Sequence, residues 1–292
     1  MKNNFFTDLA LESRDLWKKT NQEAHPGVIS RREERQGFSC DTVEIRTKEA
    51  AKELCKPVGT YVTVELDALF RREENAFERC CEVLSGELRR QLPPLGTSPV
   101  LVVALGNEDI TPDAVGPRAA GYVMVTRHLK DRLPRDFAGF RSVSLFCPGV
   151  LGTTGVESAA LVQSVAELVR PGAVIAVDAL CARETARLCR AVQIADSGIV
   201  PGSGVGNARQ ALDRDALGVP VISVGAPTVV DACALCRELT GSDPRGIRPG
   251  ELFVTPRDID NRVRDVARLI GYSVNLALHP GLTVSDVDMF LS

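Results

Sequence analysis

The sequence predicts an α/β protein built on a mostly parallel sheet with helices on both faces, and two observations carry that prediction. From residue 98 onward, short β-branched apolar runs (PVLVVAL, SVSLF, AVIAVDAL, AVQIA and PVISVG) alternate with segments of helical periodicity. Strands covered on both faces read as continuous apolar runs, and parallel neighbours need crossovers long enough to hold a helix. The composition agrees, because 44% apolar residues in a chain of 292 supply a sizeable core.

The elements follow in order. Residues 1 to 59 are mixed and polar; RREER at 31 to 35 reads as solvated charge, and only TVEIRT at 42 to 47 alternates like a strand. TYVTVEL at 60 to 66 is a clear strand. Phe77, Cys80, Cys81, Leu84, Leu88 and Leu92 then recur at helical spacing until Pro93-Pro94 ends the run. Further helices are expected near 115 to 130, from Gly155 to Val169 and near 228 to 240. A last one is capped at Thr255-Pro256 and runs to the stop at Pro280. No internal boundary interrupts residues 1 to 292, which read as a single domain.

Charge and cysteine usage narrow the classes. A net charge of -3 gives no field for a nucleic-acid surface or an anionic membrane. Asp8, Glu12 and Asp15 break any signal-peptide core, and no apolar run reaches the roughly 20 residues that span a bilayer. The expectation is a soluble, intracellular protein with no cofactor. Nine scattered cysteines suit a reducing compartment, and Cys233 with Cys236 lacks the second pair or histidines of a zinc site.

In open parallel sheets, ligands meet the crevice beyond the carboxyl ends of the strands. That rule selects the loops GNEDITPDAVGP, CPGVLGTTGVES, ALCAR after Asp178, SGIVPGSGVGN after Asp196, and GAPTVVD, all expected on one rim. Asp178 follows five apolar residues and is read either as a functional carboxylate or as the cap of a following helix. Asp113 has the same two readings, since Thr111 with Pro112 and Asp113 also fits a helix start. If the two face each other, repulsion makes them share a proton, and such a pair splits a peptide bond by activating water and polarising the carbonyl. The three histidines, at 25, 128 and 279, form no H-E-x-x-H motif, and there is no G-x-S-x-G elbow. Candidate substrate-binding positions are Gly106 and Asn107, Thr153 and Thr154, and Gly202, Ser203 and Gly204. Thr154 with Glu157 fits a capping box, and PGSGVGN is alternatively a close-packing or flexible rim.

These loops, with TDLALE at 7 to 12, VGTYVTVEL at 58 to 66, VDALCAR at 177 to 183 and ALHPGL at 277 to 282, resemble the germination protease family of spore-forming bacteria. The likeness covers nearly the whole chain and is weakest over residues 20 to 56. It implies a fold similar to the hydrogenase-maturation endopeptidases and an endopeptidase that degrades small acid-soluble spore proteins in the developing spore core. It also implies a homotetramer made as a self-trimming zymogen. Its two critical aspartates fall on Asp113 and Asp178, and the zymogen cut falls between Asp8 and Leu9, with Glu12 nearby. The eight residues ahead of that cut are fewer than the family's usual leader. Two alternatives remain at this point: carboxylates that hold a divalent metal, and a non-catalytic binding protein on the same scaffold.

Overall fold

A computed structural model describes residues 7–202, 210–242, 244 and 246–292. Its strands are β1 (Val28–Arg35), β2 (Phe38–Ile45), β3 (Gly59–Glu65), β4 (Val100–Ala104), β5 (Val143–Phe146), β6 (Ala173–Ala182), β7 (Ala191–Ala195), β8 (Val221–Asp231) and β9 (Phe253–Val254). They form one sheet in the order β1-β2-β3-β7-β8-β6-β4-β5, with β9 beside β8. The α/β class is as the sequence predicts. Parallel pairing is confined to β8-β6-β4-β5, and every other pair is antiparallel.

The helices are α1 (Ala10–Asn21), α2 (Lys48–Leu54), α3 (Asp67–Phe70), α4 (Ala76–Gln91), α5 (Val115–Ala120), α6 (Arg127–Arg132) and α7 (Leu151–Thr154), then α8 (Ser158–Val169), α9 (Arg214–Leu217), α10 (Ala232–Thr240), α11 (Ile259–Leu278) and α12 (Val284–Leu291). Period-two alternation sorts the strand residues between the two helical layers. Val100, Val102, Ile175, Val177, Val192 and Ile194 pack with α4, α5 and α11. Leu101, Val103, Val174, Ala176 and Val221 pack with α8 on the opposite face. On that second face α1 and α2 cover Val43, Ile45, Tyr61 and Ala195.

Three expectations change. RREER lies in β1, an edge strand with no apolar face, held by antiparallel pairing to β2 and by ion pairs such as Arg31–Glu44; without a buried side it has no alternation to read. The helix expected near 115 to 130 is broken into α5 and α6, because the Asn275 side chain satisfies the Met124 amide and the Tyr122 carbonyl that would otherwise continue it. The helix expected near 228 to 240 begins only at Ala232. Asp231 caps it through the amides of Cys233 and Ala234, and residues 228 to 231 stay in β8 beside the far end of β6.

His279 closes α11 and is buried, with Nδ1 accepting the Arg141 amide at 3.2 Å and Nε2 left without a partner. Burial, then the Arg141 and Lys130 charges, lower its pKa to about 4 from the ordinary 6.5. The unfolded chain therefore binds the extra proton first, and the contribution present above pH 6.5 is lost as pH falls toward 4. That loss reaches roughly 3 kcal/mol by the end of the window. In urea melts between pH 7.5 and 4.5, His279→Gln, which keeps an acceptor for Arg141, is expected to show a shallower acid loss than the parent. Parallel curves would show that His279 does not titrate on unfolding.

Candidate active site

The chain leaves β4 for β5 on one side and returns to β6 on the other, so the sheet's switch point lies between β4 and β6, where an open α/β sheet forms its crevice. β4 pairs with β6 only as far as Ala104 opposite Val177. β6 runs on to Ala182 alongside β8. Asp178 is thus the first residue of β6 beyond its neighbour, inside a strand rather than at its end, and no α-helix follows for it to cap. It is 5% exposed, and Oδ1 accepts the Ala179 amide at 2.9 Å.

Asp113 sits in a short 3-10 turn, Thr111–Asp113, which the loop closes on itself. The Asn107 amide donates to Asp113 Oδ2 at 2.9 Å and to its carbonyl at 3.2 Å, and the Asp113 amide donates to Ile110 at 2.7 Å. Thr111 is not a helix cap, for its hydroxyl donates to Asp260 on α11. From β8, the Thr228 hydroxyl donates to the Pro112 carbonyl at 2.6 Å. Gly106 makes the tight exit from β4 at φ 114°. The loop is therefore fixed to β4, β8 and α11 before any ligand arrives.

Asp113 and Asp178 line one cleft of about 510 Å³. Gly106, Gly149, Ile199, Gly202, Thr228 and Phe253 contribute to its walls, and so does Asp8. Asn107 acts behind the wall by holding Asp113. Thr153 and Thr154 do not line the cleft; their amides and hydroxyls turn to the Val150 carbonyl, and the Thr154 hydroxyl also bonds the carbonyl and amide of Val156. The expected capping box at 154 and 157 is absent, because α7 ends at Gly155 in the left-handed region and Glu157 starts α8 with no side-chain bond. Asp196 does not leave on the same rim, because β7 runs antiparallel to β8; its carboxylate accepts the Thr60 amide. The loop after it returns to the cleft at Ile199 to Gly202, while Ser203 and Gly204 lie outside the described residues. Cys181 borders the cleft as well, but burial and the Asp8 and Glu12 carboxylates push its thiol well above the ordinary range, so it stays protonated and weakly nucleophilic. Among the described residues, no group of three or more His, Cys, Asp or Glu is placed to hold a metal.

The N-terminal segment lies along this cleft, bonded to β6. The Asp8 amide donates to the Cys181 carbonyl at 2.8 Å, and the Cys181 amide donates to Asp8 Oδ2 at 2.8 Å. Lys56 holds the Thr7 carbonyl. Leu9 is fully buried against Leu180, Ala182, Leu188 and Val230. The Glu12 carboxylate, also buried, accepts from the Thr7 hydroxyl and from the amides of Arg183 and Glu184, with Arg187 at 3.6 Å. Burial raises its pKa, opposed by those bonds.

Two acids thus line one cleft at the switch point of an α/β sheet, with the N-terminal segment seated beside them. Comparison with known proteins gives the family: the germination protease profile matches residues 7–240. The germination protease of Caldanaerobacter subterraneus subsp. tengcongensis is 39% identical, covering 98% of this chain and 97% of its own. That of Bacillus pumilus is 39% identical over 97% and 96%, and that of Clostridium perfringens (strain 13 / Type A) is 33% identical over 99% of each. The [NiFe] hydrogenase maturation protease HycI from Thermococcus kodakarensis KOD1 aligns with 64% of this chain and 98% of its own, at 17% identity and a TM-score of 0.37. The chain belongs to the germination protease family and is a protease. No described helix is long and apolar enough to cross a membrane.

Proposed function

We propose that the chain is a self-processing endopeptidase of spore germination, acting on small acid-soluble spore proteins and trimming itself between Asp8 and Leu9. Asp113 and Asp178 share one proton; the ionised member takes a proton from water while the protonated member polarises the carbonyl. The observation that carries this reading is Asp8 itself, hydrogen-bonded to β6 in the same cleft as both acids. Cutting there creates a carboxylate and an ammonium beside the buried Leu9, and unpaired buried charge is costly. The cut therefore favours departure of the eight leading residues and opening of the cleft to substrate. The active protein is a homotetramer of the spore core.

Intact-mass measurement on the purified full-length chain is expected to show loss of residues 1 to 8, and the trimmed protein is expected to degrade a small acid-soluble spore protein. A trimmed terminus other than Leu9 would displace the proposed cut, and an inert trimmed protein would remove the proposed substrate.

A further inference from the structure

AVQIA, the sequence of β7, carries one polar side chain, Gln193, and it is 6% exposed. A buried amide needs partners for both ends of its head group. Gln193 finds both in the N-terminal segment: Nε2 donates to the Asp8 carbonyl at 3.0 Å, and Oε1 accepts the Ala10 amide at 2.8 Å. The side chain thus supplies the donor and acceptor that a neighbouring strand would offer, and it straddles the Asp8–Leu9 peptide bond.

Its place in the sheet relates it to Asp178. Gly225 of β8 pairs with Asp178 on one side and with Gln193 on the other. Cross-strand partners face the same side of a sheet, and strands lie about 4.8 Å apart. Asp178 and Gln193 therefore stand in one row about 10 Å apart, on the face that receives the segment. Between them Gly225 offers no side chain, and a Cβ there would collide with the Asp178 carbonyl and Leu180.

We propose that Gln193 is the oxyanion donor for the self-processing cut and sets its register. This rests on the Asp8–Leu9 reaction proposed above. Water oxygen bonds to the Asp8 carbonyl carbon and negative charge moves onto the carbonyl oxygen, where the Gln193 N–H strengthens its bond. The ionised acid takes one proton from that water; the bond to Leu9 nitrogen then breaks, and the nitrogen receives that proton from the acid and a second from the new carboxyl group, leaving an ammonium at Leu9 and a carboxylate at Asp8. The Ala10 bond on the other end of the amide fixes which carbonyl the donor meets. The donor already meets the ground-state carbonyl oxygen at 3.0 Å, so the charge develops on an oxygen that has a preplaced N–H beside it.

The test follows trimming of the full-length chain by intact mass, with hydrogen exchange of residues 9 to 13 reporting whether the segment is still seated. Gln193→Glu removes the donor and keeps an acceptor for the Ala10 amide, Gln193→Leu removes both, and each is expected to slow trimming by about 10²-fold while exchange protection persists at residues 11 to 13. Ala10→Pro removes only the second contact at the first position of α1, where proline suits a helix, and is expected to slow trimming by about fivefold. Trimming at the parental rate in a folded Gln193 variant, or in Ala10→Pro, overturns the proposal. Slowing only in proportion to lost protection also overturns it, because Gln193 would then merely seat the segment. Asp113→Asn separates the two failures: normal trimming there removes the underlying reaction, whereas arrest there with normal trimming in the Gln193 variants removes only the donor.

Discussion

With Asp113→Asn or Asp178→Asn in place, the full-length chain is expected to keep its first eight residues, with trimming slowed by between about 10² and 10⁴ in either variant. Both substitutions are conservative for the fold. The Asn107 amide at Asp113 and the Ala179 amide at Asp178 each donate to a carboxylate oxygen, and an asparagine oxygen accepts from them equally well. What is lost, on the mechanism proposed above, is the shared proton. Since the proposed mechanism makes the two groups act as a unit, it predicts a double variant little slower than either single one. Independent roles would instead multiply the two losses. Asp109→Asn serves as the control, since Asp109 lies on the same loop but is exposed and does not line the cleft. Intact-mass time courses on the four proteins decide the matter; full trimming in both single variants would remove the acids from the mechanism.

The apolar runs from residue 98 onward were enough to read the α/β class, because strands buried on both faces leave a signal that no loop imitates. Strand direction left no such signal. AVQIA has the same apolar character as the mutually parallel strands β4, β6 and β8, so nothing in it shows that β7 runs the other way and carries Asp196 to the opposite edge. Strand length was equally hidden: β6 and β8 continue past Asp178 and Gly225 because each supplies the other's hydrogen bonds, a relation between segments more than forty residues apart. The T-x-x-E pattern at 154 failed for a local reason, since Gly155 takes the left-handed conformation and ends the turn before a box can close.

The site was partly legible. Asp113 and Asp178 follow from the crevice rule, and their convergence on one cleft needed the strand order β6-β4. Gln193 was overlooked although a signal existed: a lone amide inside an apolar strand must be satisfied by something from elsewhere in the chain. Glu12 carried a similar signal, a carboxylate one turn after the start of an apolar segment. Its partners, the amides of Arg183 and Glu184, lie at the far end of β6 and could not be named from spacing.

Gly106→Ala is expected to cost both rate and stability, and the reason lies in the backbone. At φ 114° an alanine is strained wherever it stands, and at this position its Cβ would fall far inside the van der Waals shell of the Asp113 carbonyl oxygen. The loop has no direction in which to yield cheaply. Asn107 is bonded to Asp113, Pro112 is held by Thr228, and Thr111 is held by Asp260. Relief therefore displaces Asp113, and displacement of a reacting group by about 1 Å costs on the order of 10² in rate. The strain itself adds about 1–3 kcal/mol of destabilisation. A comparison with Gly152→Ala separates this from a general intolerance of side chains near the cleft, because a Cβ at Gly152 meets nothing. Gly152→Ala is expected to trim and melt like the parent, while Gly106→Ala trims at least about 10²-fold more slowly and melts earlier. Equal behaviour of the two variants would mean that the exit turn from β4 does not hold the acid in place.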